Sequence, residues 1–185
     1  MVAWPANAGV YLDFAAERGA FGGYLRLENQ SFWAGVVGMG NHPLIALRDD
    51  DLPRHRGFEV RTDGLWVAVT CETPDEHWSV GMEAFAVGYD DPAGALGDER
   101  GDIVALGFDL EWERAADDTW HVHGDVLVDD TRRVIDVTGM IGDDAPARDA
   151  ALTSPRWIAP VKSGAATIYE LSDDGAWSRR LTHVE

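Results

Sequence analysis

Four carboxylates recur along neighbouring segments of the chain at a spacing suited to acid–base chemistry. Asp109, Glu111 and Glu113 occupy every second position, and Glu83 falls on another alternating segment. Side chains two residues apart share one face of a strand, and facing side chains on adjacent strands lie about 5 Å apart. Crowded carboxylates raise one another's pKa, so one of them could stay protonated and act as a general acid. The alternative is that these residues form the solvated outer face of a sheet.

His121 and His123 form a His-x-His pair on one face of a third segment. Such a pair could bind a metal ion, with Asp125, Glu83 or Asp109 as the third ligand. It could also serve acid–base chemistry, or form ion pairs across the sheet. No other histidine or cysteine in the sequence has convincing ligand spacing, so we expect no metal. The candidate catalytic residues are therefore Glu83, Asp109, Glu111, His121 and His123.

These residues lie on three segments, 77–85, 103–113 and 120–128, that alternate with period two. Each segment predicts a half-buried antiparallel strand with an apolar face opposite the ionisable one. The apolar faces suggest the wall of a cavity for a small hydrophobic molecule. Wall and acids point opposite ways, so they serve one site only if a bulge changes the register or the acids sit at a barrel mouth. The predicted substrate-binding wall consists of Trp66, Trp78, Met82, Phe108, Trp112 and Trp120, with Trp66 included only because it falls in a predicted strand.

Further strands are predicted at 10–15, 21–28, 32–38 and 43–47, and turn residues recur about every ten positions. Segment 32–37 is apolar on both faces, which predicts a central strand. A dozen short strands with a single weak helix at 92–97 predict an all-β fold, either an antiparallel β-barrel forming a calyx or two packed sheets. Residues 142–155 predict a long loop. The 185 residues fit a single domain, 1–185.

The composition restricts the partners and the compartment. The chain has 33 acidic and 15 basic residues, a net charge of −18, so we expect neither nucleic acid nor a membrane as a partner. Cys71 is the only cysteine, which rules out an intrachain disulfide, and its apolar neighbours predict that it is buried. The sequence starts with no secretory signal pattern and contains no apolar run long enough to span a bilayer. We therefore expect a soluble, cytoplasmic protein.

Two segments carry a family resemblance: CETPDEHWSVGMEAFAVGYDDP at 71–92 and GDIVALGFDLEWE at 101–113. They resemble actinobacterial proteins of the lipocalin-like superfamily that contains the hydroxyneurosporene synthase-type carotenoid hydratases and, by architecture, the lipocalin-like Diels–Alderases. The resemblance covers residues 20–140. It implies a lipocalin-like barrel, a long hydrophobic substrate, and hydration, cyclisation or cycloaddition without a redox cofactor. Many relatives carry two such halves and this chain is long enough for one, which suggests a homodimer.

The resemblance is incomplete at a motif of the Arg-Asp-His-Ser-Trp type that many relatives carry. Here Arg148 and Asp149 are followed by Ala150 and Ala151. The histidine and the serine are missing, so no catalytic role attached to that motif transfers to this chain.

We predict a cofactor-free cyclase or isomerase of polyketide or terpenoid biosynthesis that holds a hydrophobic substrate in a barrel cavity. It would act mainly by shape, with possible assistance from an acid. The alternative is a non-catalytic lipocalin-like carrier of a small hydrophobic molecule, and a third class is an interaction module that uses the acidic face. The sequence contains no Gly-x-Ser-x-Gly elbow, P-loop or His-Glu-x-x-His motif, and the glycine-rich stretch Gly35–Gly40 is no dinucleotide fingerprint. These absences disfavour the classical hydrolase, kinase and dehydrogenase classes.

Overall fold

The structure is a computed structural model that describes residues 9–15, 21–28, 30–53, 57–90, 100–116 and 119–142, and the backbone of 156–162, 165–171 and 177–183. These residues form thirteen strands and no helix, which confirms the all-β prediction, and they include no helix long and apolar enough to cross a membrane. The strands are β1 (Val10–Ala15), β2 (Gly22–Glu28), β3 (Ser31–Val37), β4 (Leu44–Asp49), β5 (Glu59–Arg61), β6 (Leu65–Thr73), β7 (His77–Tyr89), β8 (Asp102–Arg114), β9 (Trp120–Val128), β10 (Thr131–Gly142), β11 (Arg156–Lys162), β12 (Ala165–Leu171) and β13 (Trp177–His183).

Strands β1 to β10 form one antiparallel sheet in the order β4-β3-β2-β1-β10-β9-β8-β7-β6-β5. Residues 44–46 of β4 also pair with residues 87–89 of β7, so eight strands close into a barrel-like ring. The rest of the same β7 edge pairs with β6, and β6 pairs with β5. Strands β11 to β13 form a separate three-stranded antiparallel sheet. The helix predicted at 92–97 and residues 143–155 of the predicted loop lie outside the described residues.

The apolar faces of the strands meet inside this ring. Phe14 on β1 contacts Phe108 and Trp112 on β8, at ring-centroid distances of 5.8 and 6.2 Å, although β9 and β10 separate the two strands in the sheet. The Trp112 indole Nε1 donates a hydrogen bond of 3.0 Å to the carbonyl oxygen of Asp13. Burying one such large side chain contributes about 1.5–3 kcal/mol. The inward faces therefore form one contiguous hydrophobic core.

Strands β1 to β3 differ from the rest because they are buried on both faces. Every described β1 and β2 side chain is buried, and β3 is buried except at Trp33, which confirms the prediction of a central strand at 32–37. On the outward face of β1 the Tyr11 hydroxyl donates to the Asp13 carboxylate over 2.9 Å. Burial, reinforced by Tyr89, raises the pKa of Tyr24 far above its usual value. The bond between Tyr11 and Asp13 satisfies two polar groups that would otherwise be costly to bury.

Cys71 is exposed, so the prediction that it is buried is wrong. The burial of β6 alternates only from Leu65 to Val69, and its last four residues are all exposed. The last residues of β6 extend beyond the edge of the core. The apolar sequence around Cys71 does not predict where that core ends.

Candidate functional site

The outward face of β7, β8 and β9 changes character from one end to the other. Along β8 this face carries Ala105, Gly107, Asp109, Glu111 and Glu113 in succession, and the strand register aligns them with their neighbours on β7 and β9. The apolar end of the row therefore faces Phe85 and Leu127 together with the carboxylate of Glu83, whereas the charged end faces histidines and Asp125. Two distinct sites result on one continuous surface.

The apolar end forms a depression that we call the outer groove. It consists of two adjoining cavities of about 770 and 500 Å³, which share Trp66, Glu83, Gly107 and Leu127 as lining residues. Phe85 also lines the larger cavity. Phe85 is 62% exposed and Leu127 is 41% exposed, so large apolar side chains border the groove in contact with solvent.

Glycines form the floor of the outer groove. A Cβ atom on Gly81 would lie 2.8 Å from Cη2 of Trp66, so the indole lies against the bare backbone at this position. A Cβ atom on Gly107 would lie 3.3 Å from Cβ of Leu127. Glycine at these two positions lets Trp66 and Leu127 approach the sheet, which leaves a depression where larger residues would fill the surface.

Charged side chains gather at one end of the outer groove. The smaller cavity is lined by Glu83, Asp109, Asp125 and Arg132, and Arg132 pairs with Asp125. The hydrogen bond from Arg132, together with its charge, holds the pKa of Asp125 below its usual value. Asp125 Oδ1 is buried and has no hydrogen-bond partner among the described residues. Asp125 is therefore a fixed negative charge, and Glu83 is the carboxylate that lines both cavities.

The charged end of the face carries what we call the histidine–carboxylate cluster. The Nε2 atom of His77 lies 3.1 Å from Oε2 of Glu111, and Nε2 of His123 lies 3.6 Å from Oε2 of Glu113. The rings of His121 and His123 lie 5.2 Å apart. The cluster consists of His77, Glu111, Glu113, His121 and His123.

Two overlapping triplets in this cluster have the composition of a metal site. The potential ligand atoms of Glu113, His121 and His123 all lie within 4.8 Å of one another, as do those of His77, Glu111 and Glu113. The register explains this proximity, because Glu113 pairs with His77 on one side and with His121 on the other. The residue that completes a potential triplet with the His-x-His pair is Glu113, and not Asp125, Glu83 or Asp109 as considered from the sequence.

The structure distributes the predicted wall residues over both faces of the sheet. Trp78, Met82, Phe108 and Trp112 are buried in the core. Trp120 packs partly buried against that core. Trp66 lies on the opposite face, because β6 pairs it with Glu83.

The structure also divides the predicted catalytic residues into two groups. Glu83 and Asp109 line the outer groove, whereas Glu111, His121 and His123 belong to the histidine–carboxylate cluster. Sequence reasoning missed Phe85 and Leu127. Each is a large apolar side chain on the ionisable face of an alternating strand, and this pattern in the sequence could have identified both.

Comparison with protein-family models, with curated proteins and with solved structures finds no match to this chain. The resemblance to the lipocalin-like carotenoid hydratases stays a prediction.

Proposed function

We propose that the protein binds a small, largely apolar molecule in the outer groove. The observation that carries this proposal is the pair of exposed side chains, Phe85 and Leu127, beside a cavity of about 770 Å³ with a glycine floor. Large apolar side chains clustered in solvent usually mark a binding surface. Ligand pockets typically have volumes of 300–1,000 Å³ and apolar linings with a few polar groups.

Among the described residues, the outer groove lies on the face of the sheet opposite the hydrophobic core. The inward side chains of the described strands pack against one another as one core, whereas most residues that line the two cavities have outward side chains. The core residues Leu65, Leu106, Met82 and Phe108 line them as well. A ligand in the outer groove retains the small-molecule binding expected from the sequence. The binding surface is then the outward face of the sheet instead of the inward face.

The charges around the outer groove favour a neutral or cationic ligand. Glu83, Asp109 and Asp125 outnumber Arg132 in the smaller cavity, and the whole chain carries a net charge of −18. An anionic ligand would be repelled during approach and inside the groove.

The test is a titration with N-phenyl-1-naphthylamine, an uncharged apolar dye whose fluorescence rises in apolar surroundings. We expect saturable binding that Leu127→Glu weakens at least about tenfold, because the substitution removes apolar contact worth about 1.5–3 kcal/mol and adds a charge. Gly107→Val should weaken binding as well, since it fills the floor without adding charge.

Val134→Glu is the matched control. Val134 is 77% exposed on the same outward face and pairs with Asp125, but it does not line either cavity. This variant adds the same charge and should leave the affinity for the dye unchanged. Absence of saturable binding to the wild-type chain, or equal weakening by Val134→Glu and Leu127→Glu, would overturn the proposal.

Glu83 favours a second candidate function, the cyclisation or isomerisation of the bound molecule. Its carboxylate lines both cavities together with Trp66 and Leu127, so an acid and an apolar surface share one face here. A positioned general acid contributes about 10²–10⁴-fold in rate. We expect Glu83→Gln to slow the conversion of a linear polyene or polyketide substrate at least about a hundredfold while the dye still binds. An unchanged rate would rule out acid catalysis by Glu83.

A further inference from the structure

We propose that Glu113, His121 and His123 form a binding site for a first-row divalent transition-metal ion such as Zn²⁺. Two histidines and one glutamate are a donor set that zinc enzymes use, with the fourth position left open to water or substrate. The site is independent of the outer groove, because none of its three residues lines either cavity.

The backbone places these ligands without help from a loop. His121 and His123 lie two residues apart on β9, so they project from the same face. Glu113 is the direct partner of His121 on β8. Regular antiparallel pairing holds the three Cα atoms in place, and rigid elements position metal ligands more accurately than loops do.

The side chains are close to binding geometry. Their ligand atoms lie within 4.8 Å of one another, and ligands about 2.0–2.1 Å from a tetrahedral Zn²⁺ ion lie about 3.3 Å apart. The side chains of His121, His123 and Glu113 are 44%, 36% and 53% exposed, so they have room for the small rotations that would close this gap. The same exposure gives an ion access from solvent.

Asp136 supplies the partner that metal-binding histidines usually have. Its Oδ1 atom lies 2.6 Å from Nε2 of His121, so in the proposed site that ring would bind the metal through its other nitrogen, Nδ1. A carboxylate on the second ring nitrogen fixes the tautomer and raises the basicity of the ligand. We therefore assign Asp136 a positioning role.

The surroundings also favour a cation. The pair of His77 and Glu111 adjoins the site and shares Glu113 with it. With Glu111 and Asp136, three carboxylates surround the two histidines of the site, and this negative potential attracts a divalent ion. The imidazole donors select transition metals over Mg²⁺ and Ca²⁺, which prefer oxygen ligands.

The experiment is a calorimetric titration of the tag-free full-length chain with ZnCl₂, after removal of metals with a chelator and in excess Mg²⁺. Mg²⁺ suppresses binding that depends on carboxylates alone. We expect saturation near one ion per chain and an increase in Tm at saturating Zn²⁺. Co²⁺ should give the visible absorption of a bound ion with nitrogen ligands.

The variants distinguish this site from general cation binding. The double variant His121→Asn/His123→Asn should lose Zn²⁺ binding, and Asp136→Asn should weaken it about 10–100-fold. His42→Asn is the matched control, because His42 also contacts two carboxylates, Asp90 and Asp102, at 3.1 and 3.5 Å. It should bind Zn²⁺ like the wild type.

No saturable binding by the wild-type chain would overturn the proposal, and this result needs no variant. Retained binding in a double variant whose far-UV circular dichroism matches that of the wild type would also overturn it. So would equal losses in the double variant and in His42→Asn.

Discussion

Asp50 connects the end of β4 to the start of β3 through several hydrogen bonds. Its carboxylate accepts bonds from the Ser31 hydroxyl at 2.8 Å and from the Trp33 indole at 3.1 Å. It also accepts a bond from Arg48, whose guanidinium lies 4.6 Å from the centre of the Trp33 ring. Partial burial raises the pKa of Asp50, but the bonds from Ser31, Arg48 and Trp33 outweigh this effect, so the net pKa is below the usual value.

This lowered pKa predicts a pH-dependent contribution to stability. A carboxyl whose pKa is lower in the folded than in the unfolded chain stabilises the fold above the unfolded pKa of about 3.9. That contribution is lost as the pH falls through the folded pKa. At pH 7 Asp50→Asn should reduce the free energy of unfolding by about 1 kcal/mol, allowing for solvent screening.

Urea denaturation at several pH values measures the effect. The difference between wild type and Asp50→Asn should narrow progressively below about pH 4. Asp130→Asn, in the exposed turn between β9 and β10, controls for the general loss of a negative charge. A difference that stays constant down to pH 3 would show that ionisation of Asp50 does not stabilise the fold.

Individual site residues were predictable to the extent that strand periodicity determines their face. Alternation correctly separated Glu83 from Met82 and Asp109 from Phe108. The face on which Trp66 lies relative to the other site residues could not be predicted in this way. It depends on the pairing of β6 with β7, which places Trp66 beside Glu83. The contact between Glu113 and His123 likewise depends on the register of two strands, which periodicity within one strand does not specify.

At the level of strands, β10 passes close to β1 where a glycine is required. A Cβ atom on Gly139 would overlap the carbonyl oxygen of Asp13 and would lie 2.8 Å from Nε1 of Trp112. These two atoms form the hydrogen bond that links β8 to β1 across the core. Gly139 therefore keeps β1, β8 and β10 in contact.

Gly139→Ala should destabilise the fold by about 3 kcal/mol, because it combines overpacking with damage to a buried hydrogen bond. Gly107→Ala is the matched control, since its Cβ would meet only contacts of 3.3 Å or longer. The control should cost less than about 1 kcal/mol. Urea denaturation compares the two variants, and equal losses of stability would contradict the role assigned to Gly139.

Strand positions were easier to predict than strand neighbours. The segments 77–85, 103–113 and 120–128 correspond to β7, β8 and β9, although β7 continues to Tyr89. Hairpin neighbours follow from short turns, but β1 pairs with β10 and β4 pairs with β7 across long stretches of chain. Those two pairings close the ring, and they depend on which surfaces fit together after collapse rather than on any local pattern.

At the scale of the whole molecule, repulsion between the excess negative charges destabilises the compact folded state. The 33 acidic residues exceed the basic ones by 18, and the histidine–carboxylate cluster and the outer groove concentrate several of them on one face. Like charges held on a folded surface repel one another and destabilise the compact state. This repulsion also means that a bound cation or a screening salt should stabilise the chain.

Raising NaCl from about 10 mM to about 150 mM should therefore raise the Tm at pH 7 by a few degrees, because the screening length falls from about 30 Å to about 8 Å. The same increase should have little effect near pH 4.5, the isoelectric point calculated from the sequence, where the net charge is close to zero. Differential scanning calorimetry at the two pH values separates this effect from general effects of salt on apolar burial, which act at both. An equal rise in Tm at pH 7 and pH 4.5 would show that charge repulsion does not limit the stability of this fold.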